Sequence, residues 1–179
     1  MSAHSILRAA TRAAHDRVDA LFGDFDLTRP AHYREFLTAQ AAAFLPAEAA
    51  LDGAGAGRLF PGWGQTHRSH LLRADLEALG LAVPAPIAAP EMASVAAVAG
   101  ATYVLEGSRL GGAILARRVP ANRSCCFLSA AHPPGQWKVF LSRLEQLLQT
   151  DVDRREAVTG AERMFGVFAL AASLHSDVS

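Results

Sequence analysis

Apolar residues return every three or four positions along most of the chain, and no stretch alternates apolar with polar for more than a few residues. That is the period of helices, so the pattern predicts an all-α fold. A first helix is expected from about Ser5 to Phe22, with Leu7, Ala10, Ala14, Val18 and Leu21 as its core stripe, Ser2 or Ser5 as a cap and Gly23 as a stop. A second is announced by Thr28, with Pro30 in its first turn, and carries Tyr33, Phe36, Leu37, Ala41 and Phe44 before Pro46. Ala47 to Leu51 add a turn or two, and the glycines from Gly53 to Gly57 form a flexible connection. Leu71, Leu72, Leu76 and Leu79 mark a helix over Gln65 to Leu79, closed by Gly80. Pro84, Pro86 and Pro90 stiffen a linker, after which Glu91 begins a helix reaching Arg118. Val119 to Gln136 has no sustained period and reads as a loop. Trp137, Phe140, Leu141, Leu144 and Leu148 define the next helix, and Met164, Phe165, Phe168 and Leu170 the last.

The helix before Arg118 breaks the local rules. Gly107, Gly111 and Gly112 lie inside it, although alanine is the chain's commonest residue. A glycine in a helix interior costs about 1 kcal/mol relative to alanine, so the group needs a reason. The available ones are a kink, a close contact with another helix, or a flat ligand lying on the bare backbone. Gly107 and Gly111, four apart, share a face. A membrane dimer motif is excluded, because Glu106, Arg109, Arg117 and Arg118 interrupt the run long before the ~20 apolar residues of a spanning helix.

Composition narrows the function. At 179 residues the chain is the size of one domain, and its 17 basic and 17 acidic residues leave no net charge to attract nucleic acid. Cys125 and Cys126 are adjacent, poorly placed for an ordinary disulfide and outside any zinc pattern, which fits a reducing compartment. The N-terminus lacks an apolar core and cleavage signal, so a cytoplasmic location is expected. The glycines at Gly53 to Gly57 meet neither dinucleotide nor P-loop spacing.

Candidate chemistry sits on the first helix. Arg8, Thr11, His15, Asp19 and Phe22 follow one another at intervals of three or four along one face. Arg8 returns to nearly the azimuth of His15 about 10.5 Å away along the axis, so a long flat ligand could touch both. His15 alone reads more readily as a partly buried histidine than as a metal ligand. His67 and His70 could share a face toward a metal, but no nearby carboxylate or thiol completes a set. Lys138 lies close to the apolar stripe of its helix and otherwise reads as a surface lysine.

The opening LRAATRAAHDRVD, with Leu7, Arg8, Thr11 and His15, and YVLEGSRLGG from Tyr103 to Gly112 resemble bacterial heme oxygenases, including the type that supplies biliverdin to bacteriophytochromes. HLLRADLEALG from His70 and the later PPGQWKVFLSRL extend the resemblance over nearly the whole chain. It implies a single-domain helical bundle over residues 1–179 with a kinked distal helix, cleaving heme to biliverdin, carbon monoxide and ferrous iron. Heme would be both cofactor and substrate, and electrons would come from an external reductase or ferredoxin, with a biliverdin-accepting photoreceptor as one destination of the product. By the same resemblance His15 is the proximal iron ligand, Gly107 and Gly111 line the distal face, and Ser108 helps hold a proton-delivering water network. Arg8, Tyr103 and Lys138 become propionate contacts, and Thr11 belongs to the same cofactor-binding surface. Asp19 stands where the family commonly has a longer glutamate against the imidazole, which leaves open whether its carboxylate reaches. A heme-binding protein without turnover, or a helical interaction module without cofactor, are the alternatives.

Overall fold

The Ser2 hydroxyl oxygen accepts the Ser5 amide at 3.1 Å and opens α1 (Ala3–Ala10). At Thr11 the helix stops and restarts as α2 (Arg12–Gly23), so the single first helix expected from the pattern is two. The backbone at Thr11 leaves helical geometry (φ −91°, ψ 5°), while its hydroxyl donates to Leu7 O at 2.8 Å. The computed structural model describes residues 1–176, so the last three positions of the domain expected over residues 1–179 lie outside the described residues. Among those described, every regular element is helical: α3 (Pro30–Gly53), α4 (Ala56–Leu59), a 3₁₀ turn at Trp63–Thr66, α5 (Ser69–Ala78), α6 (Val95–Ala116), α7 (Cys126–Ser129), α8 (Gln136–Leu147) and α9 (Asp151–His175).

Several boundaries move for identifiable reasons. Pro46 does not stop α3, which runs on to Gly53. Its missing N–H would cost roughly 3 kcal/mol in an isolated helix, but Ala43, Ala47 and Leu51 are buried on either side and packing overrides it. The glycine helix starts at Val95 and not Glu91, because the Ser94 hydroxyl accepts the Ala97 amide at 3.1 Å. The loop before α8 contains the short α7, held where buried Asp75 accepts the amides of Cys126 and Phe127 at 2.9 and 2.8 Å. Thr150 and Asp153 form a reciprocal capping box at the head of α9.

The helix α9 is the centre of the bundle, packing against α6, α3, α2 and α1. It is long and apolar enough to span a membrane by composition, but most of its apolar window is covered by the other helices, as expected of a core helix. Its tightest neighbour is α6. A methyl placed on Gly100 would collide with the Ala157 carbonyl, and one on Gly160 with that of Ala97, so the two helices cross backbone to backbone. Because α9 also carries α2, it forms the floor between α2 and α6, which share no extended interface.

Candidate active site

The glycines of α6 divide into two groups with different physical reasons. Gly100 makes the α9 crossing, and Gly112 lies under Leu128 O, which would stand 3.1 Å from an added methyl. Gly107 and Gly111 do neither. A methyl on Gly107 would make ordinary contact with the Trp137 ring at 3.9 Å, and one on Gly111 would meet nothing within 4 Å among the described residues. The helical ladder runs unbroken through all of them. Of the reasons set out for these glycines, close protein packing therefore applies to Gly100 and Gly112, not to the pair at 107 and 111. Beside that pair Leu110 and Ile114 are 53% and 66% exposed, so the bare strip continues into an uncovered apolar surface.

On α1 and α2 the expected row splits. Thr11 and Phe22 turn into the core, and Ala10 of the expected core stripe is exposed, while Arg8, His15 and Asp19 stay on the open side. The break at Thr11 causes this change of face. Thr11 accordingly does not join Arg8 and His15; its hydroxyl is committed to Leu7 O. His15 packs edge-on against Phe165 of α9, ring centroids 5.7 Å apart. Its Nδ1 lies 3.2 Å from an Asp19 carboxylate oxygen, so the shorter side chain does reach. A carboxylate on the Nδ1 side leaves the Nε2 side of the ring available for a metal.

The two arms approach at His4, whose ring meets Tyr103 and Trp137 at 5.8 and 6.2 Å. Burial raises the Tyr103 pKa, and the nearby Arg8 cation opposes that rise. Lys138 is exposed on α8, next to Trp137, and forms no ion pair among the described residues. His67 pairs with Asp52 at 3.0 Å and His70 is exposed; no three metal-binding side chains gather among the described residues.

Behind the bare strip lies a buried charge network that no periodicity announces. Arg68 is sandwiched between Phe44 and Phe127 and donates to Leu105 O at 2.6 Å and to the Ser108 hydroxyl at 2.7 Å. Burial and the neighbouring Arg109 push its pKa down to about 9, which still leaves it charged at neutral pH. Ser108 in turn donates to Leu105 O at 2.7 Å. Glu106 accepts from Arg109 at 3.3 Å and meets His132 Nε2 at 2.9 Å. Burial pushes the Glu106 carboxyl up, but its bonds to His132 and Arg109 outweigh that and hold it below the ordinary value. Arg109 also donates to Thr66 O and to Ala130 O, tying the 3₁₀ turn and the loop before α8 to α6. The only sequence signal was the charge of positions 106 and 109 in an otherwise apolar helix.

No family model matches the chain. A heme oxygenase of Xanthomonas campestris pv. campestris (strain 8004) is 41% identical over 113 residues, 60% of this chain and 68% of that protein. The chain belongs to the heme oxygenase family. Heme oxygenase PigA of Pseudomonas aeruginosa is 34% identical over 120 residues, 62% of this chain and 61% of PigA. The crystal structure of the NO- and CO-bound heme oxygenase of Neisseria meningitidis superposes with a TM-score of 0.85, covering 100% of this chain and 94% of the other. At 23% identity that likeness shows the shared all-α heme oxygenase fold.

Proposed function

We propose that the chain binds heme in the cleft between α2 and α6 and opens it oxidatively to biliverdin, carbon monoxide and ferrous iron. The observation that carries this reading is the contrast among the glycines: those at 100 and 160 are explained by helix crossing, whereas Gly111 faces open space and Gly107 only the edge of the Trp137 ring, beside exposed Leu110 and Ile114. A flat occupant supplies the missing reason, since bare backbone admits a planar macrocycle that any side chain would push away. The same contrast counts against a cofactor-free interaction module. When bound, heme supplies the oxygen-activating iron and the carbon skeleton that is cleaved, with electrons delivered by a separate reductase or ferredoxin.

The chain's own residues position and protect. His15 would ligate the iron from the α2 side, its Nε2 freed by the Asp19 contact at Nδ1. Gly107 and Gly111 would keep the opposite side low and narrow. Ser108, fixed by Arg68 and Leu105 O, retains acceptor capacity with which to hold a water near the strip, and so to pass protons inward. Arg8 and Tyr103, close enough for the Arg8 charge to act on the phenol, would hold the propionates, with Lys138 as a further propionate contact. Thr11 would contribute by shaping the junction of α1 and α2, not by touching the ligand.

Hemin titration tests the reading. The protein should develop a Soret band that His15→Ala weakens or shifts, and ascorbate or a reductase system should convert the complex to a biliverdin spectrum. An unchanged spectrum in the variant rejects His15 as ligand. An intact heme spectrum, under conditions that support a control enzyme, indicates a heme-binding protein without turnover.

A further inference from the structure

Trp137 is the one side chain among the described residues that approaches the bare strip of α6 at Gly107, at 3.9 Å from where a methyl would stand; one turn on, at Gly111, nothing approaches. The indole thus closes one end of the strip. Its place is over-determined. It stacks on Tyr103 (6.1 Å, 29°) and on Phe140 (5.4 Å, 11°), and His132 lies against it at 5.3 Å. His132 is fixed by Glu106, which is fixed by Arg109, both 4% exposed. Trp137 also lines a groove of about 330 Å³, bounded by Leu110, Ala113, His132 and Pro134 beside the strip. A planar ligand lying on the strip would therefore meet the edge of the indole at Gly107 and find open space at Gly111.

We propose that Trp137 is a specificity-determining wall. It stops the macrocycle's travel along α6 over Gly107 and Gly111, and so selects which meso edge is presented for cleavage; the Glu106–His132 contact holds the wall in place. The inference rests on the heme-binding reading above. Propionate contacts at Arg8 and Tyr103 fix one edge of a ring, but a second stop is needed to fix its position in the plane. An aromatic ring locked by stacking is such a stop, because displacing it would break contacts on several sides at once.

The test uses the full chain reconstituted with hemin, read by the heme-methyl proton resonances of the ferric cyanide complex and by the isomer composition of the biliverdin formed. Wild type should show one dominant seating and one dominant isomer. Trp137→Leu should add a second set of heme-methyl resonances and change the isomer ratio by about tenfold, the scale on which loss of an apolar contact discriminates. Trp137→Phe should restore the wild-type pattern. His132→Ala, which keeps the indole but removes its support, should move both readouts the same way by less, with His132→Gln partly restoring them. If Trp137→Leu binds hemin with unchanged resonances and isomers, or does not fold and His132→Ala leaves both readouts unchanged, the wall is refuted while heme binding stands. Absence of any His15-dependent Soret band in wild type refutes the underlying reading instead.

Discussion

At the scale of single residues the decisive pair is His15 and Asp19. The resemblance supplied the histidine, but a carboxylate one methylene short left its partner undecided. The answer depends on how the last χ angles are set, which sequence does not contain; in the structure the Asp19 oxygen lies 3.2 Å from Nδ1. Asp19→Ala should weaken hemin binding by about 10-fold or more, the usual cost of removing a partner that orients a metal-binding imidazole. Asp19→Glu should restore it, and the titration that compares the two separates an orienting role from a merely helical one. Gly111 gives a sharper expectation because two effects oppose. An exposed helical glycine with nothing opposite it gains about 0.5–1 kcal/mol on substitution by alanine, so Gly111→Ala should melt slightly higher without hemin. The same methyl would stand on the surface where the macrocycle is to lie, so hemin affinity should fall. A variant that melts higher and binds hemin as wild type does would remove the ligand explanation for this glycine.

At the scale of elements, the helices themselves were largely readable, because their period and caps are local: Pro30 and Gly80 punctuate the chain where expected. Long-range choices were not. The crossing at Gly100 and Gly160 joins residues 60 apart in sequence, and neither glycine has a local signal that distinguishes it from Gly107 or Gly111. Leu110, Ile114 and Leu170 fit a core period yet are exposed, since period alone does not say which stretch of a face finds a partner. The opening of α1 shows a tertiary cap of the same kind. Both Glu145 oxygens of α8 accept amides at the head of α1, from Ala3 at 2.8 Å and His4 at 3.1 Å. Partial burial pushes the Glu145 carboxyl up, but these two bonds outweigh it and leave the pKa below its ordinary 4.5. A carboxyl lowered on folding stabilises above its unfolded pKa and ceases to do so as pH falls through the lower, folded value. Glu145→Gln should therefore melt below wild type at pH 7, with the gap closing as pH drops below about 4; a gap that stays constant down to acid pH would show that the carboxylate charge is not what anchors α1.

At the scale of the whole molecule, the bundle is built around one helix that carries both sides of the cleft. α2 and α6 each pack on α9 and share no extended interface, so among the described residues α9 is the main element that sets their separation, helped by the aromatic contact of His4 with Tyr103 and Trp137. An occupant bridging them adds the contact they lack, and it binds only when the fold has brought both arms together. Ligand that binds the native state alone stabilises it by about 2.7 kcal/mol at a hundredfold excess over Kd, which for a domain of this size is a rise in Tm of roughly 5–10 °C. Hemin at that excess should raise the melting temperature of the wild-type chain by this amount, measured by circular dichroism at 222 nm. His15→Ala and Gly111→Leu should each lose most of the rise for independent reasons, one by removing the bond on the α2 side and the other by filling the surface on the α6 side. Should either variant keep the full rise, the ligand would be held by one arm only, and the central position of α9 would have no part in assembling the site.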